Sequence, residues 1–267
     1  MPVRSARVVF AASLAALLSL STIAAATTAN AASVHYAALG DSYSSGVGAG
    51  NYTSESGSCK RSYNSYPYLW KNANSPSAFA FVACSGAVTG DVLNSQISAL
   101  DSSTTLVSLT IGGNDAGFAS TMETCVLSSD SSCLNAVSNA EAYATNTLPG
   151  KLDQVYSAIH SAAPNAHVVV LGYPHLYQVP GNCWFGISDT KRNAINGAAD
   201  TLDGVIAKRV ANAGFTFEDV RGLFASHEIC GDSSTWLNST TFPIDESYHP
   251  NASGQAGGYL PAMTAGA

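Results

Sequence analysis

The sequence predicts an α/β protein in which a mostly parallel five-stranded sheet lies between layers of helices. Five short apolar runs alternate with longer helical ones, the pattern of strands joined by helical crossovers. The chain has 267 residues, 46% hydrophobic and 11% charged, enough apolar content for one sizeable core and far from a disordered acidic composition. No internal repeat, linker or long low-complexity tract divides it.

The strand candidates are Val34 to Gly40, Ala78 to Ala83, Thr105 to Ile111, His167 to Tyr173 and Phe215 to Val220. Helices are expected over Asp91 to Leu100, over Leu134 to Ala162 with an interruption at Pro149-Gly150, and over Ser188 to Ala213. In the last of these, Ser188 or Asp189 caps the start and Gly214 stands just past the end. A final helix is expected after Pro250, whose fixed φ suits a first turn. Tyr63, Tyr66, Tyr68 and Trp70 are spaced as on a helix, which favours core packing over lining an acyl chain. The Ser-rich stretches Ser128 to Ser132 and Asp232 to Thr241 read as loops.

The amino terminus has its own logic. Arg4 and Arg7 precede an apolar run from Val8 to Leu20, and small residues end at Ala29-Asn30-Ala31. This is the pattern of a secretory signal peptide over residues 1–31, leaving residues 32–267 as a single domain outside the cell. The run is broken by Ser19, Ser21 and Thr22, too short for a membrane span of about 20 residues. The net charge is −7 and the leader holds only arginines, so the remainder is more acidic still, which argues against nucleic acid as a partner.

All six cysteines follow the leader. In an oxidising compartment an even number points to disulfides, and loop closure favours sequence neighbours: Cys59 with Cys84, Cys125 with Cys133, Cys183 with Cys230. Neither a Cys-x-x-Cys nor a His-x-x-x-His pattern occurs, so no metal site and no cofactor is expected.

Ligands of open α/β sheets gather at the carboxyl ends of the strands. There the sequence places Gly40-Asp41-Ser42 after the first strand, Cys84-Ser85-Gly86 after the second and Gly112-Gly113-Asn114-Asp115 after the third. Asp245-Glu246-Ser247-Tyr248-His249-Pro250 lies near the carboxyl terminus. A serine leaving a strand through a glycine turn can present its hydroxyl to a crevice beside unpaired N–H groups, as an activated nucleophile requires. Any one of these stretches alone could be a turn. Their combination and order carry the weight.

Together they resemble the SGNH, or GDSL-type, hydrolases. The first block of that family is similar to Leu39-Gly40-Asp41-Ser42-Tyr43-Ser44-Ser45-Gly46, the second centres on Gly86, the third is Gly112-Gly113-Asn114-Asp115 and the last ends in His249-Pro250. The resemblance spans residues 32–267 and is nearest to the secreted actinomycete-type lipases and phospholipase A1. It implies a flavodoxin-like three-layer α/β/α sandwich and a serine esterase. Ser42 would be the nucleophile and His249 its base; the N–H groups of Ser42 and Gly86 and the Asn114 amide would form the oxyanion hole. The α/β-hydrolase motif Gly-x-Ser-x-Gly is absent.

The family usually places an aspartate three residues before the histidine, and here that position is Glu246. Asp245 is one residue too early, and Glu246 adds a methylene. Some relatives orient the histidine through the main-chain carbonyl two residues before it, here Ser247, and that carbonyl is favoured over Glu246. Asp41 is expected to shape the nucleophile turn, not to act as a base. His35, His160, His167 and His227 read as surface or packing residues, while His175, following the fourth strand, is a candidate to line the cleft.

The implied substrate is a lipid ester, phospholipid first, with release of the sn-1 acyl chain. A triacylglycerol lipase or a carbohydrate acetylesterase would use the same residues. A secreted polysaccharide-binding module is the rival of another class, and it predicts no reactive serine. The acidic surface and the lack of a basic amphipathic helix limit membrane contact to a transient, interfacial one through apolar surface near the cleft. A monomer is expected.

Overall fold

The computed structural model describes residues 1–3 and 33–267; the signal-peptide expectation therefore falls almost wholly outside the described residues. Five strands, β1 (His35–Ala38), β2 (Ala78–Phe81), β3 (Leu106–Leu109), β4 (His167–Leu171) and β5 (Thr216–Glu218), form one sheet. Its order is β2-β1-β3-β4-β5 and every pairing is parallel. β1, β3 and β4 are buried almost throughout, as near-continuous Val, Leu and Ala runs require when helices cover both faces.

The helices, in chain order, are α1 (Ser42–Ser45), α2 (Tyr66–Asn74), α3 (Thr89–Asp91), α4 (Phe118–Leu127), α5 (Asp130–Asn146), α6 (Leu148–Ala162), α7 (Asp189–Ala213), α8 (Arg221–Phe224), α9 (Ala252–Gly254) and α10 (Leu260–Gly266). α5 packs on α4, α6 and α7, α6 packs on α7, and α10 packs on α2, β4 and β5. Ser188 caps α7 by accepting the Lys191 N–H, and Gly214 closes it with φ 73°.

Several expectations need correction. Each predicted strand runs two residues past its observed end, where isolated main-chain bonds such as Asp41 N–H to the Thr110 carbonyl (3.0 Å) and Gly172 N–H to the Glu218 carbonyl (2.9 Å) continue the pairing beyond the regular ladder. The helix expected over Asp91 to Leu100 is only the turn of α3, followed by a widened π turn, Val92–Gln96, and a 3-10 turn, Ile97–Ala99. The buried Gln96 in this segment donates to the Gly40 carbonyl (2.9 Å) and accepts the Gly40 N–H (2.7 Å), pinning the nucleophile turn. The loop expected at Ser128 to Ser132 is mostly the start of α5, since the Ser129 side chain accepts the Ser132 N–H and nucleates the helix. α4 was not expected. The final helical segment does follow Pro250, with Asn251 capping α9.

The cysteines pair 59–84, 125–133 and 183–230. The first bridge matters for the site. With the Ser85 N–H donated to the Cys59 carbonyl (3.1 Å), it anchors the loop that carries Gly86.

In this strand order the chain goes from β1 outward to β2 and then back across to β3. Crossovers leave in opposite directions from the neighbouring strands β1 and β3, which opens a crevice at their carboxyl ends. The residues following both strands meet there.

Candidate active site

Ser42 opens α1 directly after β1. The turn needs Gly40, which has φ 120° and no room for a side chain: a Cβ would stand 2.5 Å from the Thr110 carbonyl oxygen and 2.7 Å from the Ser44 hydroxyl. Asp41 caps α1, accepting the Tyr43 N–H (3.0 Å) and the Thr110 hydroxyl (2.6 Å) on one oxygen and the Tyr173 hydroxyl on the other. Burial pushes its carboxyl up to about 6 against these hydrogen bonds, which favour the charged form. None of these hydrogen bonds reaches His249. Tyr173, which sequence reasoning passed over, also accepts the Gly113 N–H (3.2 Å), so one hydroxyl ties the loops after β1, β3 and β4 together.

The Ser42 hydroxyl stands 2.7 Å from Nε2 of His249. Nδ1 of the same ring stands 2.9 Å from the Ser247 carbonyl oxygen. A carbonyl can only accept, so Nδ1 carries the proton and Nε2 is the bare nitrogen that accepts from Ser42. This places the ring in the tautomer of a general base. The contact between residues two apart depends on Tyr248, whose φ of 63° turns the chain so that carbonyl and imidazole face each other. A non-glycine residue in this region is strained by roughly 1–2 kcal/mol. The strained turn is held by Asn238, paired through main-chain hydrogen bonds with Tyr248 and His249, and by the Tyr43 hydroxyl, which donates to the Tyr248 carbonyl (2.7 Å).

Glu246 points elsewhere. It accepts the Tyr52 hydroxyl at 2.8 Å and stands 3.7 Å from Lys60, which pairs with Asp245 at 2.6 Å. Glu246→Ala is therefore expected to keep turnover within a few-fold of wild type while costing about 1 kcal/mol of stability through the lost Tyr52 bond. Loss of a carboxylate that orients a triad histidine can instead cost about 10,000-fold. Steady-state rates beside a thermal melt separate the two.

Burial pushes the His249 imidazole well below its ordinary value, down to about 4, because it penalises the charged ring. The Ser247 carbonyl and Asp245 oppose this, and Lys60 adds to it. The sign follows directly. The base must be neutral, and protonation disables it only as pH falls through the folded value. kcat/KM on a soluble ester should thus decline in a shallow step near pH 6, as Asp41 takes a proton, and collapse near pH 4. A single full limb at the ordinary histidine value near 6.5 would contradict this assignment.

The N–H groups of Ser42 and Gly86 have no acceptor among the described residues. Gly86 has φ 78° and nothing within 4 Å of where a Cβ would sit, so backbone conformation and not contact with protein requires glycine there. Asn114 follows β3 and uses one amide hydrogen to hold the Ala87 carbonyl (3.0 Å), which braces the Gly86 loop and leaves the other hydrogen for a ligand. Asp115 strengthens the same brace, accepting both the N–H and the hydroxyl of Thr89 at 2.9 and 2.7 Å. Ser42 and Asn114 both line the cleft, and the Gly86 loop is tied to Asn114 through the Ala87 carbonyl.

Behind the mouth lies an apolar cleft of about 770 Å³, open solvent at its mouth included. Its walls come from α4, α5 and α7 and include Met122, Val137, Ala144, Ile195 and Leu202. His175 is not among the lining residues; it bonds Asp200 instead at 2.8 Å. Tyr66 and Trp70 are core residues, and Tyr63 and Tyr68 pack edge to face on each other away from the cleft. His35 bonds Ser103, His167 bonds the Gly266 carbonyl and His227 stacks on Trp236. Among the described residues no group of three or more His, Cys, Asp or Glu side chains is arranged to hold a metal ion.

Residues 38–256 match the model of the GDSL-like Lipase/Acylhydrolase family. Lipase 1 of Streptomyces coelicolor is 61% identical over 238 residues, 89% of this chain and 88% of that protein. Two crystal structures superpose with TM-scores of 0.86 at 56% identity, each covering 88% of this chain and 100% of the solved one. They are an extracellular lipase from Streptomyces rimosus and a phospholipase A1 from Streptomyces albidoflavus. With its sheet order, its blocks and these relatives in agreement, the chain belongs to the GDSL-like lipase/acylhydrolase family and is a carboxylic ester hydrolase.

Proposed function

We propose that the protein is a secreted hydrolase of lipid esters, acting on phospholipids to release the sn-1 fatty acid through an acyl-enzyme on Ser42. The observation that carries this reading is the Ser42–His249–Ser247 relay at 2.7 and 2.9 Å, set at the mouth of an apolar cleft.

Ser42 Oγ attacks the ester carbonyl carbon while its proton passes to Nε2 of His249. The carbonyl oxygen becomes an oxyanion between the N–H groups of Ser42 and Gly86 and the Asn114 amide. The Ser247 carbonyl holds the ring as it becomes imidazolium. It stabilises that charge less than a carboxylate would, and Asp245 adds field from further away. Collapse breaks the bond to the alcohol, which takes the proton from Nε2 and departs as lysolipid. Water then repeats the sequence on the acyl-serine and releases the fatty acid. The cleft, with almost entirely apolar walls, suits the acyl chain and not a sugar.

Secretion is supported by the Arg4 and Arg7 start, the apolar run to Leu20, the Ala29-Asn30-Ala31 end and three disulfides. A single experiment tests the substrate reading: product analysis on a phospholipid with different chains at its two positions, beside a triacylglycerol and an acetylated sugar. Preferential release of the sn-1 chain is expected. The names of the lipase relatives favour a glyceride as the second reading, and faster triacylglycerol cleavage would replace the first.

A further inference from the structure

We propose that the protein seats itself on zwitterionic phospholipid surfaces through an apolar collar around the cleft mouth, formed by Leu127, Trp184, Phe185, Phe242 and Ile244. These side chains are among the most exposed apolar ones in the molecule: Trp184 is 94% exposed, Phe185 and Phe242 each 89%, Leu127 74% and Ile244 61%. Folding gains nothing from leaving two adjacent aromatics in water, and clustered apolar exposure marks an interaction surface.

The fold ties all three segments of the collar to elements that line the cleft or flank His249. Phe242-Pro243-Ile244 is the tip of the loop that returns to His249, closed by Thr241 N–H to Ser247 Oγ (2.9 Å) and Thr240 against the Tyr248 hydroxyl (2.6 Å). Trp184 and Phe185 lie on the loop joining two cleft-lining residues, Leu176 and Ile195. That loop is tied to the body by the Cys183–Cys230 bridge and by the Asn182 N–H to the Cys230 carbonyl. At its base Arg192 lies 5.8 Å over the Tyr177 ring, and Tyr177 lies 6.5 Å from Tyr248, the residue before His249. Leu127 ends α4, a cleft wall. Lys191 clamps that end to the start of α7, donating to the Cys125 and Ser128 carbonyls at 2.8 and 2.6 Å.

The partner follows from two facts. Substrate must pass this mouth, and an ester embedded in a lipid aggregate reaches Ser42 only if the mouth meets the aggregate. The net charge of −7 supplies no attraction for anionic headgroups, so apolar insertion must provide the contact, which favours neutral or zwitterionic surfaces. No described helix is long and apolar enough to cross a membrane. This inference rests on the lipid-substrate reading above.

The test uses the whole secreted chain. In a Ser42→Ala background, phosphatidylcholine vesicles should shift Trp184 emission to the blue, and lipids brominated on their acyl chains should quench it. Trp70 is buried and Trp236 partly so, which leaves Trp184 as the responsive reporter. The pairs Trp184→Ala/Phe185→Ala and Phe242→Ala/Ile244→Ala, made in the same background, should each weaken vesicle partitioning by about tenfold or more. In the active enzyme they should slow hydrolysis of phosphatidylcholine vesicles in parallel and leave cleavage of a monomeric, water-soluble short-chain ester unchanged.

Undiminished partitioning by both pairs would overturn the proposal, as would equal loss on the soluble ester, tighter binding to phosphatidylglycerol vesicles, or a dimer in light scattering that the substitutions dissolve. If wild type binds vesicles through the collar yet cleaves only non-lipid esters, the substrate reading fails and the surface stands.

Discussion

Ser42→Ala, and separately His249→Ala, should each leave about one millionth of wild-type turnover on a soluble ester, and the double variant should be no worse. The reason is their single shared hydrogen bond: at 2.7 Å the hydroxyl and Nε2 act as one unit, and either half alone has no chemistry to perform. Stability should barely follow. The Ser42 hydroxyl has His249 as its one partner among the described residues, so Ser42→Ala costs about 1 kcal/mol and leaves the melting curve nearly in place. His249→Ala removes a ring packed 5.1 Å from that of Tyr43 and should cost more. A serine-directed organophosphonate should label the wild type stoichiometrically at Ser42 and should fail on Ser42→Ala. Residual turnover above about one part in a thousand with folding intact would point to another nucleophile, and an unlabelled, folded wild type would favour the binding-module reading.

Asn114→Ala should lower kcat by about 100- to 1,000-fold with little change in KM. An oxyanion donor acts on charge that exists only in the transition state, so its loss belongs to kcat. Asn114 has a second task, holding the Ala87 carbonyl. Part of the loss could then arise from a displaced Gly86, and Thr89→Ala separates the contributions. That substitution removes one hydrogen bond to Asp115 in the same brace but leaves all three donors present, so it should cost no more than about tenfold. Asn114→Asp should be at least as damaging as Asn114→Ala, because a carboxylate repels the developing negative charge. A KM-only effect in Asn114→Ala would remove the amide from the oxyanion hole.

The sheet was legible because parallel strands announce themselves as short apolar runs, and those of β1, β3 and β4 meet a glycine at their carboxyl ends. That Ser42 and Asn114 would share one crevice was legible from the same pattern: both lie a few residues past strands, and a parallel sheet sends the ends of its strands to one edge. α4 was missed because Phe118–Leu127 mixes Ser, Thr, Met and Cys and owes its helicity to packing against α5, not to local propensity. The π turn at Val92–Gln96 was missed as well, since what dictates it is the distant clasp of Gln96 on Gly40. His175 fell outside the cleft because Asp200 on α7 draws its ring away.

By itself the sequence determined the fold class, the family and the order in which the chemistry-bearing residues occur, because strand pattern, glycine turns and local blocks are properties of neighbouring residues. Only the tertiary structure decided which carbonyl or carboxylate faces His249 and that Tyr173 joins three loops. Ser42 and His249 are 207 positions apart. Their meeting, and the strained turn at Tyr248 that sets the proton on Nδ1, depend on the balance of burial and hydrogen bonding over the whole domain, which no short stretch of residues encodes.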